Sequence, residues 1–429
     1  MPWAFLVVTL VGAVFTFNAY LPLRRQGILS IPSFFAGWLT GELAVHHFAW
    51  QVVATVFFVG AGALSAWPGW LGLGITLASW AWLLALIPVS QRSRETVERA
   101  LAEGLGGDYA RRIAPGLSER LVQPTRLSRL VVPFLLRDSR VRVRRNVRYA
   151  EGAGRRHLLD VYTPRAGAEN APVLLQIHGG GWVIGDKREQ ALPLMLHLAA
   201  RGWVCVAANY RLSPRATFPD HLIDLKLALR WIRTHIGRFG GDPDFVVATG
   251  GSAGGHLAAL VALTAGDPEY QPGFEDVDTS VRACVPFYGV YDLANRFGHA
   301  HFEGFEQFWG RVVLKRRFVD DPDAFRKASP SARVHPDAPP FFVIHGSHDT
   351  LAPVHEGRSF VQLLRETSRA PVAYAEIPGA QHAFEVFHSL RTRHVVEGVD
   401  RFLAWVYSGY LAEVEAPEPA LLERASTAG

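Results

Sequence analysis

Two patterns of apolar and polar residues divide the chain. From residue 3 to 88 apolar side chains run almost without a break, and from about residue 141 short apolar runs alternate with helical stretches. The segments WAFLVVTLVGAVFTFNAYL (3–21), AVHHFAWQVVATVFFVGAGALSAW (44–67) and WLGLGITLASWAWLLALIP (70–88) are each long enough, as helices, to cross a hydrocarbon core of about 30 Å. Residues 31–43 are also apolar, but Pro32, Gly37, Gly41 and Glu42 interrupt them, and they read as an interfacial lead-in rather than a fourth span. A signal peptide is the rival reading of the first segment. It lacks a basic leading region and a small-residue cleavage site, and two further spans follow.

In the second part the strand-like runs are 141–149, 158–162, 172–177, 203–209, 245–250, 281–288, 340–346 and 372–378. Several are unbroken Val/Ile/Leu/Phe runs, as strands buried on both faces of a parallel sheet require. Helical stretches lie between them at about 187–200, 220–238, 252–265, 354–369 and 387–408. In HLIDLKLALRWIRTHI, Leu222, Leu225, Leu229, Ile232 and Ile236 recur at the spacing of one helix face. This alternation predicts an α/β architecture, a mostly parallel sheet with helices on both faces over residues 141–410, preceded by a membrane region over 1–90. Residues 91–140 read as a basic helical connector or cap. Residues 291–335, rich in aromatics, read as an insertion that could act as a lid, and 411–429 as a disordered tail.

Charge sharpens the division. The first 90 residues carry only Arg24, Arg25 and Glu42, whereas the whole chain has a net charge of +5 concentrated in the arginine-rich stretch 111–148. With no nucleic-acid motif beside it, that stretch reads as a collar against anionic lipid headgroups, with a solvated connector as the plainer alternative. Arg24 and Arg25 after the first span, and Arg92, Arg94 and Arg99 after the third, fall on one face of the membrane. The positive-inside bias makes that face cytoplasmic, so the expected location is a multi-pass inner-membrane protein with its second part in the cytoplasm. Cys205 and Cys284 lie in strand-like runs and read as buried free thiols.

The chemistry concentrates at strand ends. GGSAG (250–254) joins a strand to a helix and fits the G-x-S-x-G elbow that exposes a serine oxygen, here Ser252. Such a serine needs a base and an orienting carboxylate. PFFVIHGSHDTLAP places Asp349 just past one later strand, and AYAEIPGAQHAFEV places His382 past the next, giving the order Ser, Asp, His. His345 and His348 are rivals, but they share a loop with the acid. HGGGW (178–182) follows the strand 172–177, and its glycines allow backbone N–H groups to point at a developing oxyanion. Gly180 and Gly181, with Ala253 after the serine, form the expected hole. His178 and Gly179 support that loop, and Trp182, Phe305 and Trp309 are candidates for the substrate pocket.

Together HGGGW, GGSAGG, HGSHDTLAP and GAQHAF, with NYRLSPRATFPDHLIDLKLALRWI between the first two, resemble the hormone-sensitive-lipase-like carboxylesterases of the α/β-hydrolase superfamily. The three-span beginning is similar to membrane-attached mycobacterial esterases of the LipM type. The resemblance implies hydrolysis of short- to medium-chain acyl esters, with a lipophilic ester and membrane lipids as partners and no metal or organic cofactor. Gly251 departs from the pattern, since many relatives carry an acidic residue there. An aryl-formamidase-like amidase or an acyltransferase on the same fold is the enzymatic alternative. A non-catalytic ligand receptor would be expected to lack a triad member. On this reading, deleting residues 1–90 spares hydrolysis of soluble esters.

Overall fold

The computed structural model describes residues 1–23, 30–121, 128–298 and 307–415. Arg24 and Arg25, Phe305 and the tail from residue 416 lie outside these. Five helices open the chain: α1 (Pro2–Tyr20), α2 (Ser30–Glu42), α3 (Ala44–Gly60), α4 (Trp67–Gln91) and α5 (Ser93–Leu105). The helices Pro2–Tyr20 and Trp67–Leu105 are long and apolar enough to cross a membrane, and α2 with α3 makes a third only if that pair, bent by 91°, is taken as one span. Contacts run in register along α1 and α4, from Trp3 against Trp67 to Tyr20 against Trp82, so the two helices are parallel. Phe48 against Trp80 and Phe58 against Phe5 set α3 antiparallel to both. Much of the outward surface is apolar, including Trp3, Val53, Val56, Phe57, Trp67 and Trp70.

The connector residues are not all linker. Val97, Ala100, Leu101 and Leu105 of α5 are buried in the core on one face of the sheet. Short helices α6 (Pro115–Leu121) and α7 (Ser128–Val131) follow, then the exposed apolar residues Val131, Val132, Phe134 and Leu135. The chain then enters an eight-stranded sheet: β1 (Val141–Arg148), β2 (Leu158–Pro164), β3 (Ala171–Ile177), β4 (Val204–Ala208), β5 (Gly241–Gly251), β6 (Ala283–Phe287), β7 (Phe341–Gly346) and β8 (Val372–Ile377). Their order is β1-β2-β4-β3-β5-β6-β7-β8, with β1–β2 and β2–β4 antiparallel and the rest parallel.

Helices α8 (Leu192–Ala199), α9 (Asp220–His235), α10 (Ala253–Leu263), α11 (Pro322–Lys327), α12 (Val354–Thr367) and α13 (Leu390–Glu415) complete the fold. Strand alternation splits the core in two. Val173, Leu175 and Ile177 face α9, α10 and α12, whereas Leu174 and Cys205 face α5, α8 and α13. The five periodic residues of 222–236 are all fully buried, as their spacing requires. Both cysteines are buried and free. Residues 411–415, assigned by sequence to the tail, continue α13 as helix.

α2 does more than lead into α3. Arg391 of α13 donates to Gly41 O (2.9 Å) and to the Glu42 carboxylate (3.0 Å), and Ser389 Oγ donates to the same carboxylate at 2.7 Å. Both charged side chains are at most 1% exposed. A charge pair so fully removed from water survives only when each partner is held in place, so α2 is docked on the α/β body at a fixed register.

Candidate active site

The parallel strands bring the expected residues to one edge of the sheet, where β3, β5, β7 and β8 end. Ser252 occupies the turn between β5 and α10 with φ 59° and ψ −124°, a conformation that costs an L-residue strain and is held here by Ser252 N–H donating to Phe287 O at 3.0 Å. The flanking glycine at 254 is a steric necessity, because a β-carbon there would collide with Ile177 O of β3. The elbow therefore fits only because strand and helix backbones can touch.

Asp349 and His382 meet across neighbouring post-strand loops, with His382 Nδ1 2.7 Å from Asp349 Oδ2. The other carboxylate oxygen accepts the N–H groups of Leu351 and Ala352, both at 2.8 Å. Burial pushes the Asp349 carboxyl up, but the adjacent His382 and His345 outweigh it and hold the group well below the usual carboxylate range. Gln381 ties the two loops together, its Oε1 accepting from Thr350 N (2.8 Å) and His382 N (2.9 Å). Of the rival histidines, His345 is fully buried with Nε2 2.8 Å from Ala352 O, and His348 faces Ala19 O of α1.

The glycine loop is built as a donor cradle. Gly180 has φ 105° and Gly181 has φ 58°, both in the region that disfavours side chains. Among the described residues the N–H groups of Gly180, Gly181 and Ala253 have no hydrogen-bond acceptor. Gly179 N–H is held by Gln190 Oε1 at 2.6 Å. His178 stacks on Tyr210 at 4.4 Å and bonds Gly179 O through Nδ1, and burial lowers its pKa to about 4, so it is neutral at pH 7. It braces the loop from beneath.

Two pocket expectations are corrected. Trp182 and Trp309 are each only 3% exposed and belong to the core rather than to a pocket wall. The reason is local: Trp182 Nε1 donates to His256 Nδ1 at 3.3 Å, which turns its ring down onto α10. Phe308 approaches the donor loop, with its ring 3.7 Å from where a β-carbon on Gly181 would stand.

Other residues of the site escape a sequence reading. Tyr288, after β6, packs its ring 4.4 Å from that of His382 and donates its hydroxyl to Glu385. That hydroxyl would lie 2.7 Å from a β-carbon at Gly251, so the glycine in place of an acidic residue is the room that Tyr288 needs. Burial raises Glu385 to about 7, offset only in part by the tyrosine hydrogen bond. The only hint in the sequence is an acid inside the apolar run AFEVF. Phe34 of α2 is the other omission, 6.2 Å from the His382 ring.

Sheet order, a strained serine after β5 and an acid–histidine pair after β7 and β8 define an α/β-hydrolase. A family model described as BD-FAE matches residues 159–364. The chain is 42% identical to the "Probable carboxylic ester hydrolase LipM" of Mycobacterium tuberculosis, over 97% of this chain and 96% of that protein. It is 42% identical to "Esterase LipQ" of the same organism, over 74% of this chain and 76% of LipQ. Among solved structures, the butyrate-bound thermophilic esterase Est2 of Thermogutta terrifontis superposes with a TM-score of 0.50 at 26% identity, over 66% of this chain and 96% of Est2. The chain belongs to the family of LipM-type carboxylic ester hydrolases.

Proposed function

We propose that the protein is a membrane-anchored serine carboxylesterase that hydrolyses short- to medium-chain acyl esters. The observation that carries this reading is the Asp349–His382 contact at 2.7 Å at the same sheet edge where β5 ends in a serine held at φ 59°. Ser252 Oγ attacks the acyl carbonyl while His382 Nε2 takes its proton. Asp349 stays ionised and stabilises the imidazolium. The oxyanion forms against the unpaired N–H groups of Gly180, Gly181 and Ala253, the last strengthened by the N-terminus of α10. His382 then protonates the departing alcohol, and water, activated by the same histidine, releases the acid from Ser252. The names of the relatives favour ester over amide cleavage, and the butyrate in Est2 supports an acyl pocket of modest length. The insertion 291–335, with Phe308 beside the donor loop, is the proposed lid on that pocket.

The membrane reading rests on the exposed apolar faces of α1, α3 and α4, a continuous surface that water does not tolerate. At about 1.5 Å per residue the 19 residues of α1 reach about 28 Å, enough for the hydrocarbon core. Trp3, Trp67 and Trp70 gather at the far end, where interfacial tryptophans belong. With α1 and α4 parallel, their C-terminal ends share a face, which we assign to the cytoplasm together with the hydrolase.

Substituting the serine tests the catalytic reading. Ser252→Ala abolishes labelling by a fluorophosphonate and lowers turnover of p-nitrophenyl butyrate by roughly 10³-fold or more. Undiminished labelling of the folded variant would place the nucleophile elsewhere.

A further inference from the structure

We propose that Phe34 is a specificity-determining residue: through it α2 forms the wall of the active site that receives the alcohol portion of the ester, and it selects apolar, lipid-like alcohols. This rests on the triad assignment above. Three observations place α2 at the site. Phe34, 8% exposed, stands edge-on to His382 with ring centroids 6.2 Å apart and planes at 74°. Trp38, one helical turn on, stacks on Phe34 at 5.6 Å and meets Phe387 at 5.3 Å, so an aromatic row follows the loop that carries the histidine. Between them Gly37 faces Gln381, whose Nε2 would lie 3.6 Å from a β-carbon there, and Gln381 is the residue that ties the histidine and acid loops together.

The docking is fixed from both ends. The C-terminus of α2 is held by Arg391 and Ser389, and near its start Asn18 of α1 donates to Ser33 O at 2.7 Å. The wall is thus a built element of the site.

The chemistry of acyl transfer says which half of the substrate meets it. The histidine that accepts the serine proton must hand it to the alcohol oxygen, so the leaving group lies on the histidine side of Ser252. The carbonyl oxygen points the other way, to the donor loop, where Phe308 stands. An aromatic wall against His382 therefore touches the alcohol and not the acyl chain. At Phe34 it offers the leaving group ring carbon, and it is continuous with α1 and α3, so the alcohols it favours are those that partition into a bilayer.

Full-length protein in detergent micelles is assayed with two ester series. One holds the acyl group at butyrate and varies the alcohol from methyl to butyl to octyl. The other holds the alcohol at p-nitrophenol and varies the acid from acetate to butyrate to octanoate. Comparing each variant with the parent on the same substrate cancels micelle partitioning. Phe34→Ala lowers kcat/KM for octyl butyrate by about tenfold more than it lowers that for methyl butyrate, as loss of a large apolar contact predicts. The acyl series keeps its slope. Phe34→Leu, which keeps an apolar wall, retains most of the alcohol preference and carries the comparison if the alanine variant does not fold. Equal changes in both series, or none in the alcohol series, overturn the proposal. The fluorophosphonate reaction of Ser252→Ala reports separately on the triad, so a failed triad assignment and a failed alcohol wall give different results.

Discussion

Single residues around the proposed triad differ from water-exposed groups mainly through burial. Glu385 and Glu356 are both raised to about 7 by burial, the first beneath His382 and the second beside β6 and β7. An acid whose folded pKa exceeds its unfolded value of about 4.5 binds more protons when native, so stability is greatest below about 4.5 and is lost as pH climbs to about 7. A shift of that size corresponds to at most roughly 3 kcal/mol per group. Thermal unfolding in detergent therefore gives a lower midpoint at pH 8 than at pH 5, and Glu385→Gln shrinks the difference. An unchanged pH dependence in that variant would show that Glu385 ionises normally. The proposed catalytic residues were legible because each follows its own strand with a residue type suited to its role, whereas Tyr288 and Glu385 were not. Their partnership depends on two loops meeting, which no local pattern encodes. Trp182 and Trp309 misled for a related reason: an aromatic beside a glycine loop can turn up to a substrate or down to a core, and hydrogen bonding to His256 decides the first of them.

Elements tell a similar story. All eight strands were readable, and for the central ones continuous Val/Ile/Leu runs leave a parallel sheet few rivals. The role of α2 was not, since hydropathy registers only that a helix seeks an apolar neighbour and is silent on whether that neighbour is lipid or protein. The buried pair of Glu42 and Arg391 resolves it. Removing one partner leaves an uncompensated buried charge, so Arg391→Met destabilises by about 3–5 kcal/mol. Glu42→Gln combined with Arg391→Met costs less than the sum of the two single changes, which a double-mutant cycle on thermal unfolding reads directly. Additive effects would mean the pair does not form. The same docking revises the expectation that residues 1–90 are dispensable for soluble esters. Deleting them removes Phe34 from beside His382 and strands Arg391, so activity on soluble substrates falls as well.

For the whole molecule, the proposed topology makes a simple demand on its two ends. A reporter that fluoresces only when folded in the cytoplasm is active when fused after Gly429, and one that requires an oxidising compartment is active only when placed before Met1. The reverse pattern would overturn the orientation. One further consequence follows from β1. It is an edge strand, and an uncovered edge invites the matching edge of another copy, all the more if the proposed anchoring confines many copies to one plane. Arg142, Arg144, Arg145 and Arg148 are all exposed along it. Laid edge to edge, two copies would crowd these cations against each other at strand spacing, so the arginine run that looks like a lipid-facing collar also keeps neighbouring hydrolases from joining their sheets into one.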